Sequence, residues 1–196
     1  MIFLVTNRHM ARGDYLEIIE GAAQGGIDGI ILREKDLDYE EVLPLGLGLD
    51  RIARDYGLDL IVNSNLRLAE KLGAYSYHTG YENFLSEGRV YKRVGVSVHS
   101  LEEARRAEEL GADYLLLGHI FETDCKKGLK GRGLDFLEEV RRSVDLPIIA
   151  IGGINEENVK DIAGRGVRHI ALMSYFMASH DPKEAARLLK EASYDI

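Results

Sequence analysis

Short apolar runs alternate with helical patterns along the whole chain, and this alternation is the feature that most restricts the fold. Eight runs are continuous and rich in Ile, Leu and Val, as is typical of strands covered on both faces. Their mean spacing is about 24 residues, close to the length of one strand–helix unit. The predicted strands are residues 2–5, 29–32, 58–62, 75–78, 93–98, 114–117, 146–151 and 168–173. The pattern therefore predicts an α/β fold with a parallel sheet.

One short sequence motif recurs between the end of a predicted helix and the next strand. Residues 25–29, 110–114 and 165–169 each contain glycine just before the strand, at the position that often ends a helix. Eight such units close most economically into a (β/α)8 TIM barrel, whereas a doubly wound sheet normally has five or six strands and would leave two units unplaced. We therefore predict a single TIM-barrel domain over residues 1–196, without a linker.

Length, charge and cysteine content exclude several classes of protein. The 196 residues favour one domain, and the net charge of −8 argues against a protein that coats nucleic acid. No apolar run approaches the roughly 18 residues of a membrane span. The first residues lack the positively charged segment with which a signal peptide begins. The single cysteine excludes a disulfide framework and a cysteine-based structural zinc site. We expect a cytoplasmic protein without nucleic-acid or membrane partners.

In a TIM barrel the chemistry lies at the carboxyl ends of the strands. The side chains at the ends of the predicted strands are mostly hydrogen-bond donors and cations. They include Thr6, Asn7, Arg33, Lys35, Asn63, His78, Ser97, His99, His119 and Ser174. Such a set suits an anionic ligand, although the top of any barrel is polar because its loops are solvated. The one acidic member, Glu34, is expected to pair with a neighbouring cation.

Two glycines follow predicted strand seven. Gly152 and Gly153, together with Ser174 after strand eight, occupy the position where many such barrels bind phosphate. Glycine lets backbone N–H groups approach an anion closely, and a helix N-terminus adds partial positive charge. The alternative is that the glycines only make a turn.

The longest connection, residues 119–133, follows predicted strand six. Residues 122–133 hold four cations, two carboxylates and three glycines in a chain that is acidic overall. Long loops in compact domains are usually functional, and this one could attract an anion and close over it. The alternative is a solvated basic loop.

His119 stands at the start of this loop. Imidazole is the side chain that most readily gives and takes protons near neutrality, so His119 is the candidate acid–base residue, against the alternative of a polar rim residue. His78 and His99 are weaker candidates. A zinc site built from these three histidines is disfavoured because accompanying carboxylates are missing. Cys125 has no identifiable base partner and is interpreted as incidental.

The sequence of residues 118–128 and 131–133 resembles the signature loop of the thiazole tautomerases (TenI-type proteins), which belong to the thiamine phosphate synthase superfamily. The blocks at 32–36, 95–100, 150–154 and 172–174 agree with that superfamily. The resemblance implies a metal-independent, cofactor-free isomerisation of a carboxythiazole ethyl phosphate to its aromatic tautomer, with His119 moving the proton. It further implies substrate contacts from Arg33, Lys35, Asn63, Ser97, Thr123, Lys126, Gly153 and Ser174.

The chain departs from the synthases of this superfamily at three positions. The resembled synthases hold magnesium with two aspartates, where this chain has Ser64 and Asn83, and they tend to have proline where His119 stands. Serine and asparagine are poor substitutes because magnesium in such sites relies on carboxylates and substrate phosphates. Two alternatives to the tautomerase remain, namely a thiamine phosphate synthase and a non-catalytic regulator that binds thiamine intermediates. A homo-oligomer is also left open.

Overall fold

The computed structural model describes residues 1–123 and 128–194 and contains a closed barrel of eight parallel strands in sequence order. The last strand pairs with the first, with Phe3 opposite Ala171. The strands are β1 Ile2–Val5, β2 Gly29–Leu32, β3 Asp59–Asn63, β4 Ser76–Gly80, β5 Val94–Val98, β6 Tyr114–Gly118, β7 Ile148–Ile151 and β8 His169–Leu172. This confirms the predicted (β/α)8 TIM barrel.

Helices separate the strands and surround the barrel. They are α1 Tyr15–Gly25, α2 Tyr39–Tyr56, α3 Leu66–Leu72, α4 Tyr81–Glu87, α5 Leu101–Glu109, α6 Gly133–Ser143, α7 Val159–Gly164, α8 Ser174–Met177 and α9 Pro182–Tyr194. A short 3-10 helix, Arg8–Met10, follows β1. None of the described helices is both long and apolar enough to cross a membrane.

Side-chain caps begin several of the helices. Asp14 accepts hydrogen bonds from the amides of Leu16 and Glu17, and Ser100 accepts one from the amide of Glu103. These caps satisfy backbone donors that the first turn of a helix leaves free. Helix α4 shows little helical pattern in the sequence. It is short, it begins at a glycine without a side-chain cap, and Phe84 is its buried residue.

The apolar core has two layers because strand side chains alternate between the barrel interior and the surrounding helices. The inner layer fills the barrel with Phe3, Val5, Ile31, Ile61, Tyr114, Ile149 and Ala171. The outer layer packs strand residues such as Leu4, Ile30 and Leu115 against the helices. A packed interior leaves space for a ligand only above it, at the carboxyl ends of the strands.

Candidate functional site

A cavity of about 520 Å³ opens at the carboxyl ends of the strands. Eight of the nine site residues predicted from sequence line it, although they come from six different strand ends. They are Arg33, Lys35, Asn63, Ser97, His119, Thr123, Gly153 and Ser174. The ninth, Lys126, lies outside the described residues, as does Cys125. The barrel therefore brings the predicted side chains into one cavity, and their roles stay predictions.

His119 lies in the cavity wall and is only 6% exposed. Its Nε2 atom lies 3.3 Å from the carbonyl oxygen of Leu129, and its Nδ1 atom is buried without a hydrogen-bond partner among the described residues. A carbonyl oxygen can only accept, so a neutral ring places its hydrogen on Nε2 in this contact. Nδ1 then carries a free lone pair, which is the form of imidazole that accepts a proton.

Both described ends of the long loop are tied to the barrel. Ile120 and Phe121 donate their amides to the carbonyl oxygens of Ile151 and Gly152 at 2.9 and 3.0 Å. Across the loop, the Arg132 amide donates to the carbonyl oxygen of His119 at 3.0 Å. These bonds fix the backbone that carries His119. Residues 124–127 lie outside the described residues, so closure of the loop over the cavity stays a prediction.

The two glycines after β7 have positive φ angles, +103° for Gly152 and +67° for Gly153. A Cβ atom on Gly152 would lie 2.4 Å from His119 Cβ, and one on Gly153 would lie 2.4 Å from the carbonyl oxygen of Glu122. The sequence assigned these glycines either to phosphate binding or to a turn. The structure adds that they let the loop after β6 pack directly on β7, which a sequence pattern cannot show.

Residues 33–35, the cationic segment after β2, are anchored by the buried carboxylate of Glu34. The Glu34 side chain is 2% exposed and accepts hydrogen bonds from the backbone N–H of Arg8 at 3.1 Å and from the Tyr15 hydroxyl at 3.2 Å. The Arg8 guanidinium also lies 3.2 Å from Glu34, which confirms the expected pairing with a cation. The same guanidinium binds Asp36 and holds the pKa of that carboxyl well below its usual range.

Arg33 and Lys35, on either side of Glu34, are thereby placed at the cavity. The Arg33 amide is held in turn by the Thr6 hydroxyl at 2.9 Å. Sequence reasoning missed Arg8 and Tyr15, which hold this segment although they precede it by 26 and 19 positions. The pairing of β1 with β2 brings the segment after β1, which includes Arg8, beside Glu34, and Tyr15 reaches it from α1.

His78 and His99 have different surroundings. His78 is buried, with Nε2 2.8 Å from Ser97 Oγ, and burial together with the charge of Arg33 lowers its pKa to about 3. It is therefore neutral near pH 7 and holds a fixed place in a hydrogen-bond chain. His99 lies at the cavity edge, where its Nδ1 atom is 3.4 Å from the carbonyl oxygen of Gly118.

Ser64 and Asn83 stand where the resembled synthases hold magnesium, and they do not fit that ion. Ser64 lines the cavity in a left-handed conformation, and its amide donates to the carbonyl oxygen of His78. Asn83 is exposed on α4. A hydroxyl and an amide replace the carboxylates that magnesium prefers. Among the described residues, no group of three or more His, Cys, Asp or Glu side chains is placed to hold a metal.

The fold and the site together define a TIM-barrel protein whose cavity combines a buried imidazole, a glycine turn and two cationic side chains. The model of the thiamine monophosphate synthase family matches residues 2–176. A putative thiamine-phosphate synthase of Geobacter sulfurreducens is 34% identical, over 96% of this chain and 92% of that protein. The thiamine-phosphate synthase of Shouchella clausii is 35% identical, over 97% and 95%.

The structure gives the same relationship. The thiamine phosphate pyrophosphorylase from Pyrococcus furiosus superposes with a TM-score of 0.87 and 30% identity, covering 99% of this chain and 95% of that one. The chain belongs to the thiamine monophosphate synthase family. These relatives are named for thiamine-phosphate synthesis, not for thiazole isomerisation. Their names therefore favour the synthase alternative over the tautomerase that the loop resemblance implies.

Proposed function

We propose that the protein is a metal-independent isomerase that converts a carboxythiazole ethyl phosphate to its aromatic tautomer. The observation that carries the proposal is His119, whose Nδ1 atom is buried in the cavity wall without a partner among the described residues. An imidazole with a free nitrogen lone pair beside the cavity can remove a ring proton, and return it at another ring position, once a small movement of the ring exposes that nitrogen to the ligand. The reaction needs no further reactant because the product has the same atoms as the substrate.

The other cavity residues suit the two anionic groups of this substrate. The amides of the turn at Gly153 and the hydroxyl of Ser174 would bind the phosphate, as in many TIM barrels. The cations Arg33 and Lys35 would bind the carboxylate. Holding both ends orients the ring toward His119. Acid–base catalysis contributes about 10²–10⁴-fold, and orientation adds to that.

A thiamine phosphate synthase is the second candidate, and the names of the relatives favour it. That reaction joins a pyrimidine pyrophosphate to a thiazole phosphate, so charge develops on the departing pyrophosphate. Magnesium would normally neutralise it, and Ser64 and Asn83 do not supply the carboxylates to hold that ion. Arg33 and Lys35 would have to neutralise the charge instead.

One pair of assays distinguishes the two candidates. The purified protein is incubated with the non-aromatic tautomer, and aromatisation is followed by ultraviolet absorbance with and without EDTA. A second assay supplies the pyrimidine pyrophosphate, the thiazole phosphate and magnesium. We expect aromatisation at the same rate in EDTA and no coupling. Magnesium-dependent coupling without aromatisation would establish the synthase, and ligand binding without either reaction would establish a non-catalytic binder.

A further inference from the structure

Four polar side chains form a chain through the inside of the barrel. Ser76 Oγ lies 3.3 Å from the Tyr114 hydroxyl, and that hydroxyl lies 3.3 Å from His78 Nδ1. On the other side of the ring, His78 Nε2 lies 2.8 Å from Ser97 Oγ. The first three residues are buried, and Ser97 lines the cavity. The chain therefore connects the barrel interior with Ser97 in the cavity wall.

The direction of the hydrogens is set at the Ser76 end. Ser76 Oγ lies 3.0 Å from the carbonyl oxygen of Arg93 and 3.2 Å from that of Tyr77. Carbonyl oxygens only accept, so the Ser76 hydroxyl can donate to one of them. Either hydroxyl could donate in the contact between Ser76 and Tyr114. The carbonyl oxygen of Arg93 lies nearer to Ser76 Oγ, at 3.0 Å, than the Tyr114 hydroxyl does, at 3.3 Å, so we assign the Ser76 hydrogen to the carbonyl and the Tyr114 hydrogen to Ser76.

The same argument continues to the cavity. Tyr114 has one hydroxyl hydrogen, already directed at Ser76, so the contact with His78 requires Nδ1 to donate. The His78 ring is neutral because burial lowers its pKa, and a neutral ring carries a single N–H. Nε2 is then unprotonated, and its lone pair accepts a hydrogen bond from the Ser97 hydroxyl.

We propose that His78 and Tyr114 are positioning residues that turn the Ser97 hydroxyl away from the cavity, so that Ser97 offers the ligand only a hydrogen-bond acceptor. The ligand atom at Ser97 is therefore an N–H or O–H donor. A carboxylate or phosphate does not bind there. In the proposed isomerase, on which this ligand assignment rests, the carboxylate lies at Arg33 and Lys35 instead.

The packing around Tyr114 keeps the chain in place. A Cβ atom on Gly95 of the neighbouring strand would lie 1.9 Å from Tyr114 Cζ, so the glycine makes room for the ring. The ring stacks on His78 with centroids 5.7 Å apart, and the Arg93 guanidinium lies 5.6 Å from its centroid. A ring confined by its neighbours keeps the hydroxyl oxygen within reach of Ser76 and His78.

Nuclear magnetic resonance tests the direction of the chain without any ligand. Long-range proton–nitrogen spectra of ¹⁵N-labelled protein distinguish a histidine protonated at Nδ1 from one protonated at Nε2, and loss of a signal in His78→Asn assigns the ring. We expect the Nδ1-protonated form in the unmodified protein. Tyr114→Phe should abolish that preference, and Tyr91→Phe, on the outer layer, should leave it unchanged. An Nε2-protonated ring in the unmodified protein would overturn the proposal, whether or not the variants fold.

Calorimetry tests the ligand assignment. We compare the dissociation constants of two ligands, the aromatic carboxythiazole ethyl phosphate and the thiazole ethyl phosphate that lacks the carboxylate. Both are measured with the unmodified protein, Ser97→Ala and Arg33→Gln. We expect Ser97→Ala to change both dissociation constants by the same factor and Arg33→Gln to weaken the carboxylate ligand more. A loss confined to the carboxylate ligand in Ser97→Ala would show that Ser97 donates to it, against the proposal. If neither ligand binds, the proposed function fails, and the resonance result still decides the direction of the chain.

Discussion

His119 Nε2 contacts the carbonyl oxygen of Leu129, ten residues further along the chain, at 3.3 Å. The contact crosses the base of the long loop and selects the ring form with hydrogen on Nε2. The same loop supplies the imidazole and determines which of its nitrogens can accept a proton. The base of the loop therefore helps to determine the tautomer of the imidazole.

Replacing His119 by asparagine should lower turnover. Asparagine keeps a polar group of similar reach and loses the base, so we expect kcat to fall by about 10²–10⁴-fold with little change in KM. Steady-state kinetics of aromatisation across neutral pH measure both constants. Exposed His180, outside the cavity, is the matched control, and His180→Asn should retain full activity. A His119→Asn variant with unchanged kcat and an unchanged pH profile would contradict the assignment and direct attention to His99 and Cys125.

Removing the Ser174 hydroxyl should weaken phosphate binding without disturbing the fold. A hydrogen bond to a charged group contributes about 1.5–3 kcal/mol, so Ser174→Ala should raise the dissociation constant of the thiazole phosphate by about 10- to 150-fold. Calorimetry measures this change. Ser86→Ala, on the exposed face of α4, is the control. Equal affinity in the two variants would place the phosphate elsewhere in the cavity.

The barrel and most of the residues that line its cavity could be predicted because both follow from local sequence patterns. Strand spacing gave the eight units, and the rule that parallel strands end at one face placed residues as distant as Arg33 and Ser174 together. The supporting contacts could not be predicted. Arg8 reaches Glu34 from the short 3-10 helix after the neighbouring strand, and the neutral state of His78 depends on burial that only the closed barrel creates.

Gly153 should be intolerant of a side chain for a structural reason. A Cβ atom there would lie 2.4 Å from the carbonyl oxygen of Glu122, and the φ angle of +67° is unfavourable for other residues. Overpacking costs about 1–3 kcal/mol, so Gly153→Ala should lower the free energy of unfolding by at least that amount. Urea unfolding measures it. Gly164→Ala, where the added carbon would meet nothing within 4 Å beyond its chain neighbours and its own helix backbone, should be neutral or stabilising. Equal stability of the two variants would show that the loop does not pack on this turn.

Burial of His78 should make the protein less stable in mild acid. Its pKa is lowered from 6.5 to about 3 in the folded state. Between these values the unfolded chain binds a proton that the folded chain does not. The free energy of unfolding is therefore unaffected by His78 above about pH 6.5 and decreases as the pH falls below that value. The slope approaches about 1.4 kcal/mol per pH unit. The half-buried His169, whose pKa is also lowered, adds a slope of the same sign.

His78→Gln should therefore be less stable at neutral pH and should also show a flatter dependence on pH, because glutamine does not titrate. Urea unfolding at several values between about pH 7 and pH 5 measures the free energy of unfolding of this variant, of the unmodified protein and of His180→Gln. His180 is exposed, so its variant should keep the slope of the unmodified protein. Equal slopes in all three proteins would mean that His78 titrates alike in the folded and unfolded states, and the buried, neutral ring inferred for the barrel interior would be wrong.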